Sequence, residues 1–506
     1  MIGWRTGGCV VTVKQTRRCH IFKMLLTLLT LGISFLPWIV GTLMLYGFLH
    51  GFTGWRLEDH FIVIGISSLV GYSSFALLMF ALQTWSAPVF SEWLTLGVVT
   101  LILTLYITGR TFKRKDQASV TDFVANKHSL SSNLLISFIV IWLATIAGSA
   151  LWESYYRPGV GWDSLSYWAM DGFRFMVGQF QDGTLAVMQG DPHPPHVKYI
   201  GAWGAFAMSK GSAVGLYLPW VAIYIGSVIA LLGFAKSVSK SWLIGLIVSI
   251  FFASGPIIYS HAAIGGYADL WVSASILMAL IWVMLPLPTA NIIGNSYQRA
   301  IVFIFLFLSI ALMKGNTFVY SIIFFVSIAL AKFRLYFGAK KFSLVMIILF
   351  SVGVLLAREG VDFDLFGYRL SILPEERIVA VGQRVGMLAH NPWAEVLSNL
   401  FHSWIINSSF YLSFLLAVPL IAAPLTHNAL KDNWTALTSA FFLLGMMAFY
   451  ILTLKFSGTY LAPTSTPSFD TSLSRFSQLF QAAMAPMLAY VLSIYSTNSR
   501  AVYSVT

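Results

Sequence analysis

Long apolar runs separated by short polar breaks dominate the chain. They fall at 24–49, 61–83, 88–109, 134–152, 213–234, 241–260, 270–288, 299–313, 317–332, 342–357, 401–424, 436–454 and 476–495. Each is close to the roughly 20 residues that a helix needs to cross a bilayer. In hydrocarbon the backbone must satisfy its own hydrogen bonds, which favours helices. The pattern predicts an all-α membrane protein with about 13 transmembrane helices.

Two polar segments are long, 153–212 and 358–400. In the first, Trp162, Leu165, Trp168, Ala169, Gly172, Phe173 and Met176 recur at helical spacing, with Ser166 at the edge of the stripe and Asp171 and Arg174 away from it. This spacing predicts an amphipathic juxtamembrane helix lying in the interface. Its aromatic residues suit the headgroup level.

Composition strengthens the membrane reading. Of 506 residues, 58% are hydrophobic and 10% charged, against about 25% charged in a soluble protein. That excludes a string of soluble domains, a disordered chain, a collagen-like fibre and a disulfide scaffold. Both cysteines, Cys9 and Cys19, precede the first long run, so the rest of the chain carries neither an internal disulfide nor a thiolate metal site.

The net charge of +12 points to cytoplasmic loops rather than to nucleic acid, because basic residues mark the inner side of membrane proteins. Arg110, Lys113, Arg114, Lys115 and Lys127 share one link. Lys236 and Lys240 share a second, and Lys332, Arg334, Lys340 and Lys341 a third. Lys431 and Arg500 mark the remaining two. With all of these inside, the runs alternate correctly from 134 onward, and both long polar segments face outside. The basic stretch 1–23 (Arg5, Lys14, Arg17, Arg18, Lys23) then falls on the wrong side. A start at Met24 removes the conflict and is preferred over a re-entrant early segment. The chain thus divides into the 1–23 stretch, a three-helix extension with a basic loop at 24–133, a core at 134–495 and a cytoplasmic tail at 496–506.

Five groups of residues could carry chemistry. Asp163 opens the amphipathic helix after Gly159 and Gly161. Its ordinary role there is a helix N-cap; a carboxylate ionised at a helix N-terminus also suits a base. Asp191-Pro-His193-Pro-Pro-His196 is a rigid turn. Its prolines preclude the helical histidine pair of a zincin, leaving a plain turn or a histidine held toward a substrate. His261-Ala-Ala-Ile-Gly-Gly-Tyr267-Ala-Asp269-Leu leads directly into a run, and its acid is either hydrated at the boundary or functional. Lys314-Gly-Asn-Thr317 links two runs and reads as a tight turn with a snorkelling lysine. Asp470-Thr-Ser472-Leu-Ser-Arg475 opens the last run; an arginine at a helix start opposes the dipole and calls for an anionic partner. The topology places Asp163, His193, Asp269, Lys314 and Arg475 on one face, which suits a phosphorylated lipid and a hydroxyl acceptor.

These motifs, in this order, resemble the GT-C superfamily of membrane glycosyltransferases. Its members include the dolichyl-phosphate-mannose protein mannosyltransferases and the bacterial lipid A aminoarabinose transferase. The resemblance rests on Trp162-Asp163, Tyr167-Trp168, His193-Pro194-Pro195, Tyr267-Ala268-Asp269, Lys314-Gly315-Asn316 and Thr471-Ser472…Arg475, and covers roughly 134–495. Thr317 stands where the family often has an acid, which weakens a metal role for that turn.

The resemblance implies a GT-C-like fold and an inverting transfer of sugar from a polyprenyl-phosphate donor to a lipid, polysaccharide or protein hydroxyl. Asp163 would be the base. Asp269, His193, Lys314, Arg475, Tyr267, Trp162, Tyr167, Arg174 and Ser472 would bind substrate, with Arg358, Glu359, Arg369 and Arg384 as weaker candidates. It implies no metal ligand set and no obligatory cofactor, though a divalent cation is compatible with the site. Membrane lipids are expected partners and nucleic acid is not. The expected location is a bacterial plasma membrane, with the site facing the periplasm or outside. The alternatives are a transporter or flippase of a lipid-linked or anionic solute, an enzyme like O-antigen ligase or a membrane acyltransferase, and a non-catalytic scaffold.

Overall fold

The computed structural model describes residues 13–49, 55–84, 130–156, 196–209, 217–263, 267–286, 293–314, 317–359, 361–365, 368–372, 411–427, 433–456 and 472–503, with a few single positions between them. The helices are α1 (Val13–Phe48), α2 (Leu57–Thr84), α3 (Leu130–Tyr156), α4 (His196–Ser209), α5 (Leu218–Ser239), α6 (Trp242–Ala253) and α7 (Pro256–Ala263). There follow α8 (Ala268–Val283), α9 (Ser296–Met313), α10 (Thr317–Glu359), α11 (Tyr411–Thr426), α12 (Trp434–Phe456) and α13 (Ser472–Tyr503). One antiparallel hairpin interrupts them, β1 (Val361–Leu365) with β2 (Tyr368–Ile372), in a register that sets Asp364 opposite Arg369.

Helix occupies part of every expected run except 88–109, which lies outside the described residues. Among the described residues, seven stretches are long and apolar enough to cross a membrane, in α1, α2, α3, α5, α9, α10 and α12. The bent pair α6–α7 brings the number to eight. The architecture is that of a multi-pass helical membrane protein. Its outer faces are apolar, as lipid contact requires: Ile141 of α3, Ile304 of α9 and Phe325 of α10 are all exposed.

Three local features depart from a simple reading of the runs. First, the segment 153–212 contains α4, a helix that the polar pattern of that loop did not predict. Its start follows Pro194-Pro195, and its residues from His196 to Ala205 are all buried. Second, the run 241–260 is broken: α6 and α7 meet at an angle of 70° around Gly255 and Pro256. Proline removes a donor and clashes with the preceding turn, so it fits only as a new first turn. Third, α10 has 43 residues, about 65 Å of straight helix, twice the hydrocarbon thickness. It breaks at Gly338, whose φ of +78° lies where only glycine rests without strain. The rings of Phe333 and Phe342 are 6.1 Å apart across the break, where nine residues of continuous helix would separate them by about 13 Å.

The core is built around α5 and α8. Every residue of α8 from Ala268 to Trp282 is buried. The Trp271 ring meets Tyr72 of α2 edge-on at 5.4 Å and Trp220 of α5 at 6.2 Å. Alpha-helices α1, α2 and α5 approach closely through small residues. A Cβ at Gly65 would fall on the Gly226 carbonyl, and one at Gly71 on the Pro37 carbonyl. Such residues let membrane helices pack backbone to backbone.

The links sort the bundle into two ends. At one end Lys314 meets Asp269, Ser154 Oγ donates to Ala263 O (2.8 Å) and Trp220 Nε1 to Tyr267 O (2.9 Å). At the other, Gln298 Nε2 donates to Phe48 O (2.6 Å), Trp282 Nε1 to Arg299 O (2.9 Å) and Arg334 Nη2 to Leu425 O (3.2 Å). Caps secure this second end: Asn295 and Gln298 form a reciprocal capping box on α9, and Lys240 closes α5 in the left-handed region. The basic links around 235–240 and 332–341, with Lys431, all lie at this second end. The start of α1 lies at the first.

Candidate functional site

The first end holds the described part of the site. Asp269 stands in the first turn of α8, where free backbone N–H groups attract a carboxylate. Its Oδ1 accepts from Lys314 Nζ at 2.8 Å, with 12% and 18% of the two side chains exposed. Lys314 is the C-cap of α9, an end that favours a cation. Both charges therefore sit at helix ends of the right polarity.

Thr317 explains how Lys314 is aimed. Its hydroxyl accepts from the Lys314 N–H (3.2 Å) and donates to the Lys314 carbonyl (2.5 Å), and its own N–H reaches the same carbonyl at 3.0 Å. These bonds close the α9–α10 turn. Threonine at this position serves the turn rather than a ligand.

Tyr267 is the residue before α8 and is buried. Its ring lies flat on His261 of α7, centroids 4.3 Å apart and planes within 8°. The Trp220 indole fixes its carbonyl, and Ser154, at the end of α3, fixes α7 through Ala263. Four helices thus hold one aromatic–imidazole stack beside the ion pair. His261, which heads the same sequence feature but was given no role there, is buried in this stack and joins the site.

Arg475 and Ser472 fall in the first turn of α13. Tyr490 OH donates to Met284 O at 2.6 Å, and α8 and α13 run parallel. Fifteen residues back along both helices are 475 and 269, so the two first turns lie at about the same height. The backbone of α13 thereby brings this pair to the Asp269 end. Asp163, Trp162, Tyr167, Arg174 and His193 lie outside the described residues, as does Arg384; Arg358 and Glu359 end α10, and Arg369 lies in β2.

Several buried polar groups were not legible as site residues. Gln478, one turn inside Arg475, is 0% exposed, and neither its Oε1 nor its Nε2 has a hydrogen-bond partner. Trp271 Nε1 and His196 Nε2 are buried in the same condition. Burial pushes the His196 imidazole down to about 4, so it is neutral at ordinary pH. Lys198, two residues on in α4, is 1% exposed. Trp203 of the same helix donates to Ile33 O at 3.1 Å and packs on Phe75 at 5.1 Å. A lone amide, lysine or histidine inside an apolar helix was the available signal. Buried groups of this kind are normally satisfied by protein or water, so the Gln478 amide, Trp271 Nε1 and His196 Nε2 are places where a polar ligand or water is owed a bond.

The arrangement offers an ammonium with two donors to spare, a carboxylate, and a flat aromatic surface, all at one end of the bundle. Among the described residues no three His, Cys, Asp or Glu side chains come together as a metal site would require. The chain matches no protein-family model, no curated protein and no solved structure.

Proposed function

We propose that this protein is an inverting membrane glycosyltransferase of the GT-C type, moving a sugar from a polyprenyl-phosphate-linked donor to a hydroxyl acceptor. The observation that carries the reading is the Asp269–Lys314 pair at the end of the bundle where the first turn of α13 also lies. A lipid phosphate leaves as a stable anion and needs no general acid, so a single base suffices, unlike the carboxylate pair of a glycosidase. In this proposal Asp163 takes the acceptor proton as the oxygen attacks the anomeric carbon. Arg475 and the two spare donors of Lys314 stabilise charge growing on the phosphate. Asp269 positions Lys314 and reads sugar hydroxyls, and His193 orients the phosphate or the acceptor. Tyr267, Trp162, Tyr167, Arg174 and Ser472 line the substrate.

About 13 spans belong to the same proposal, and helix direction supports the number. Helix α2 ends at the Asp269 end and α3 begins at the other, which fits one further crossing at 88–109. The lysine-bearing end is taken as cytoplasmic, and the site as facing the periplasm or outside of a bacterial plasma membrane. No metal is required by the mechanism.

A flippase for a lipid-linked solute is the second reading. The 70° break between α6 and α7 favours it, since transporters build sites on discontinuous helices. One experiment separates the two. Proteoliposomes are given a panel of radiolabelled polyprenyl-phosphate sugars, with wild type beside Asp163→Asn. Transfer that collapses in the variant, with fold and donor binding retained, supports the glycosyltransferase and its base. Equal transfer removes Asp163 from the chemistry. Movement of donor across the bilayer without transfer favours the flippase.

A further inference from the structure

The end opposite Asp269 carries a second, independent feature. At the Gly338 break the chain turns, and the two limbs of α10 are pinned to α12. Ala331, Phe342, Leu437 and Phe441 form a small buried cluster there, with the Phe342 and Phe441 rings 5.4 Å apart. Arg334 is buried and ties α10 to the last turn of α11 through Leu425 O. Lys332 Nζ sits 5.3 Å over the Trp434 ring at the start of α12. The turn is therefore a fixed platform made by three helices.

Its surface is strongly cationic. Lys332, Lys340, Lys341 and, on the α11–α12 link, Lys431 are all exposed. No carboxylate occurs between Asp269 and Glu359. The nearest acid in sequence to Lys431 is Asp432, outside the described residues. Among the described residues, Lys340, Lys341 and Lys431 have no ion pair. The other lysines at this end differ: Lys236 Nζ donates to Lys240 O and Lys240 Nζ to Ser237 O, both at 2.7 Å. Those two ammonium groups are turned back on their own backbone; the platform lysines are not.

The platform is also built for a membrane surface. Tyr336 is 83% exposed beside exposed Leu335 and Phe337, the amphipathic kind of side chain that settles at headgroup depth. Below it, Leu344, Ile347 and Ile348 of the distal limb present an exposed apolar strip to acyl chains. Basic clusters between membrane helices recognise anionic headgroups.

We propose that the Gly338 turn of α10 and the α11–α12 link form a binding site for an anionic phospholipid, with Lys340, Lys341 and Lys431 on the headgroup phosphate and the Leu344–Ile348 strip against its chains. The site does not depend on the reaction at the opposite end.

The test uses the full-length protein in a neutral detergent. Phosphatidylglycerol and phosphatidylcholine are titrated separately, and bound lipid is counted by native mass spectrometry. Wild type is expected to retain phosphatidylglycerol over phosphatidylcholine. Lys340→Gln/Lys341→Gln/Lys431→Gln should bind phosphatidylglycerol about a hundredfold more weakly, roughly fivefold per lysine. The control Lys236→Gln/Lys240→Gln should bind as wild type. All three platform lysines are exposed, so a lipid-free melting curve checks the fold; the single Lys341→Glu serves if the triple variant misfolds and should show the same preference lost. Equal retention of both lipids by wild type, or unchanged phosphatidylglycerol binding in the lysine variants, overturns the proposal. Sugar transfer plays no part in this readout.

Discussion

The Asp269–Lys314 pair gives the sharpest test of the site's physics. At 2.8 Å the two charges attract by about 6 kcal/mol at an effective dielectric constant near 20, before desolvation is charged against it. Removing one partner from a buried pair costs about 3–5 kcal/mol, because the survivor is left uncompensated. Here two effects reduce that figure. Some 12% and 18% of the side chains still reach the surface, and each charge sits at a helix end that favours it, worth about 0.3–1 kcal/mol. Asp269→Asn and Lys314→Met should each destabilise the protein by about 2–3 kcal/mol. The double variant leaves neither charge behind and should lose only about 1 kcal/mol. The coupling energy is then about 3 kcal/mol or more, read by denaturant unfolding of all four proteins in one detergent. Single losses that add to within about 0.5 kcal/mol in the double variant would refute the pairing. Sugar transfer adds a second reading on the same proteins. If the pair only holds the turn, the double variant recovers transfer with stability. If the spare donors of Lys314 engage the donor phosphate, stability returns and transfer does not.

Further outcomes follow from single residues. Gln478→Leu removes a buried amide with two unanswered groups, each worth about 1–3 kcal/mol. Melting should rise if nothing binds there; substrate protection of wild type that Gln478→Leu lacks would mark the amide as a ligand contact. His196, pushed down to about 4 by burial, is neutral in the folded protein, while the unfolded chain takes up a proton below its ordinary value near 6.5. The neutral burial thus contributes its full stability above about pH 6.5 and loses about 3 kcal/mol as pH falls to 4. The melting temperature of wild type should fall more steeply between pH 7 and 5 than that of His196→Phe, and parallel slopes would sink the argument. Gly71→Ala sets a methyl group on the Pro37 carbonyl and should cost about 3 kcal/mol or prevent folding, measured by recovery of monodisperse protein. Gly148→Ala, with open space around it, should be tolerated or mildly stabilising.

The sequence announced the helices because their signal is thermodynamic and local. An apolar run of the right length has few alternatives in a bilayer, and the lysines that cluster in the links 235–240 and 332–341 fall at one end of the bundle. The chemistry was harder to read. Asp269 and Lys314 are 45 residues apart, and their contact depends on α8 and α9 being antiparallel neighbours. Thr317 looked like a missing acid; it proves to be the hydroxyl that closes the turn and aims the lysine. Helix α4 escaped because its histidine, lysine and glycines interrupt the apolar count, yet its side chains pack inside the bundle. A hydropathy window scores those residues as surface, whereas enclosure by α1, α2 and α5 makes them interior. Gln478 and Lys198 were hidden for the same reason: a single polar residue barely moves the average of an apolar helix.

Side-chain exposure gives the two ends different electrostatics. Helices α5, α8, α10, α11 and α13 all begin at the Asp269 end, and each start leaves backbone N–H groups without an intrahelical acceptor. Helices α2, α3 and α9 end there in turn, so N–H and carbonyl termini mix at that end, and Asp269 and Lys314 each sit at a terminus of matching polarity. At the opposite end α5, α8 and α11 present carbonyl ends and α3, α9 and α12 N–H ends, and some lysines and arginines of the links meet the carbonyls. Lys240 at the end of α5 and Arg334 on the last turn of α11 spend their donors on backbone carbonyls in this way. Among the described residues the lysines at 340, 341 and 431 reach no such carbonyl, and these are the ones proposed to hold a lipid. Burial separates the two sites: raising ionic strength weakens lipid retention at the exposed platform more than it weakens the part-buried Asp269–Lys314 pair, and equal salt dependence of the two would refute this reasoning.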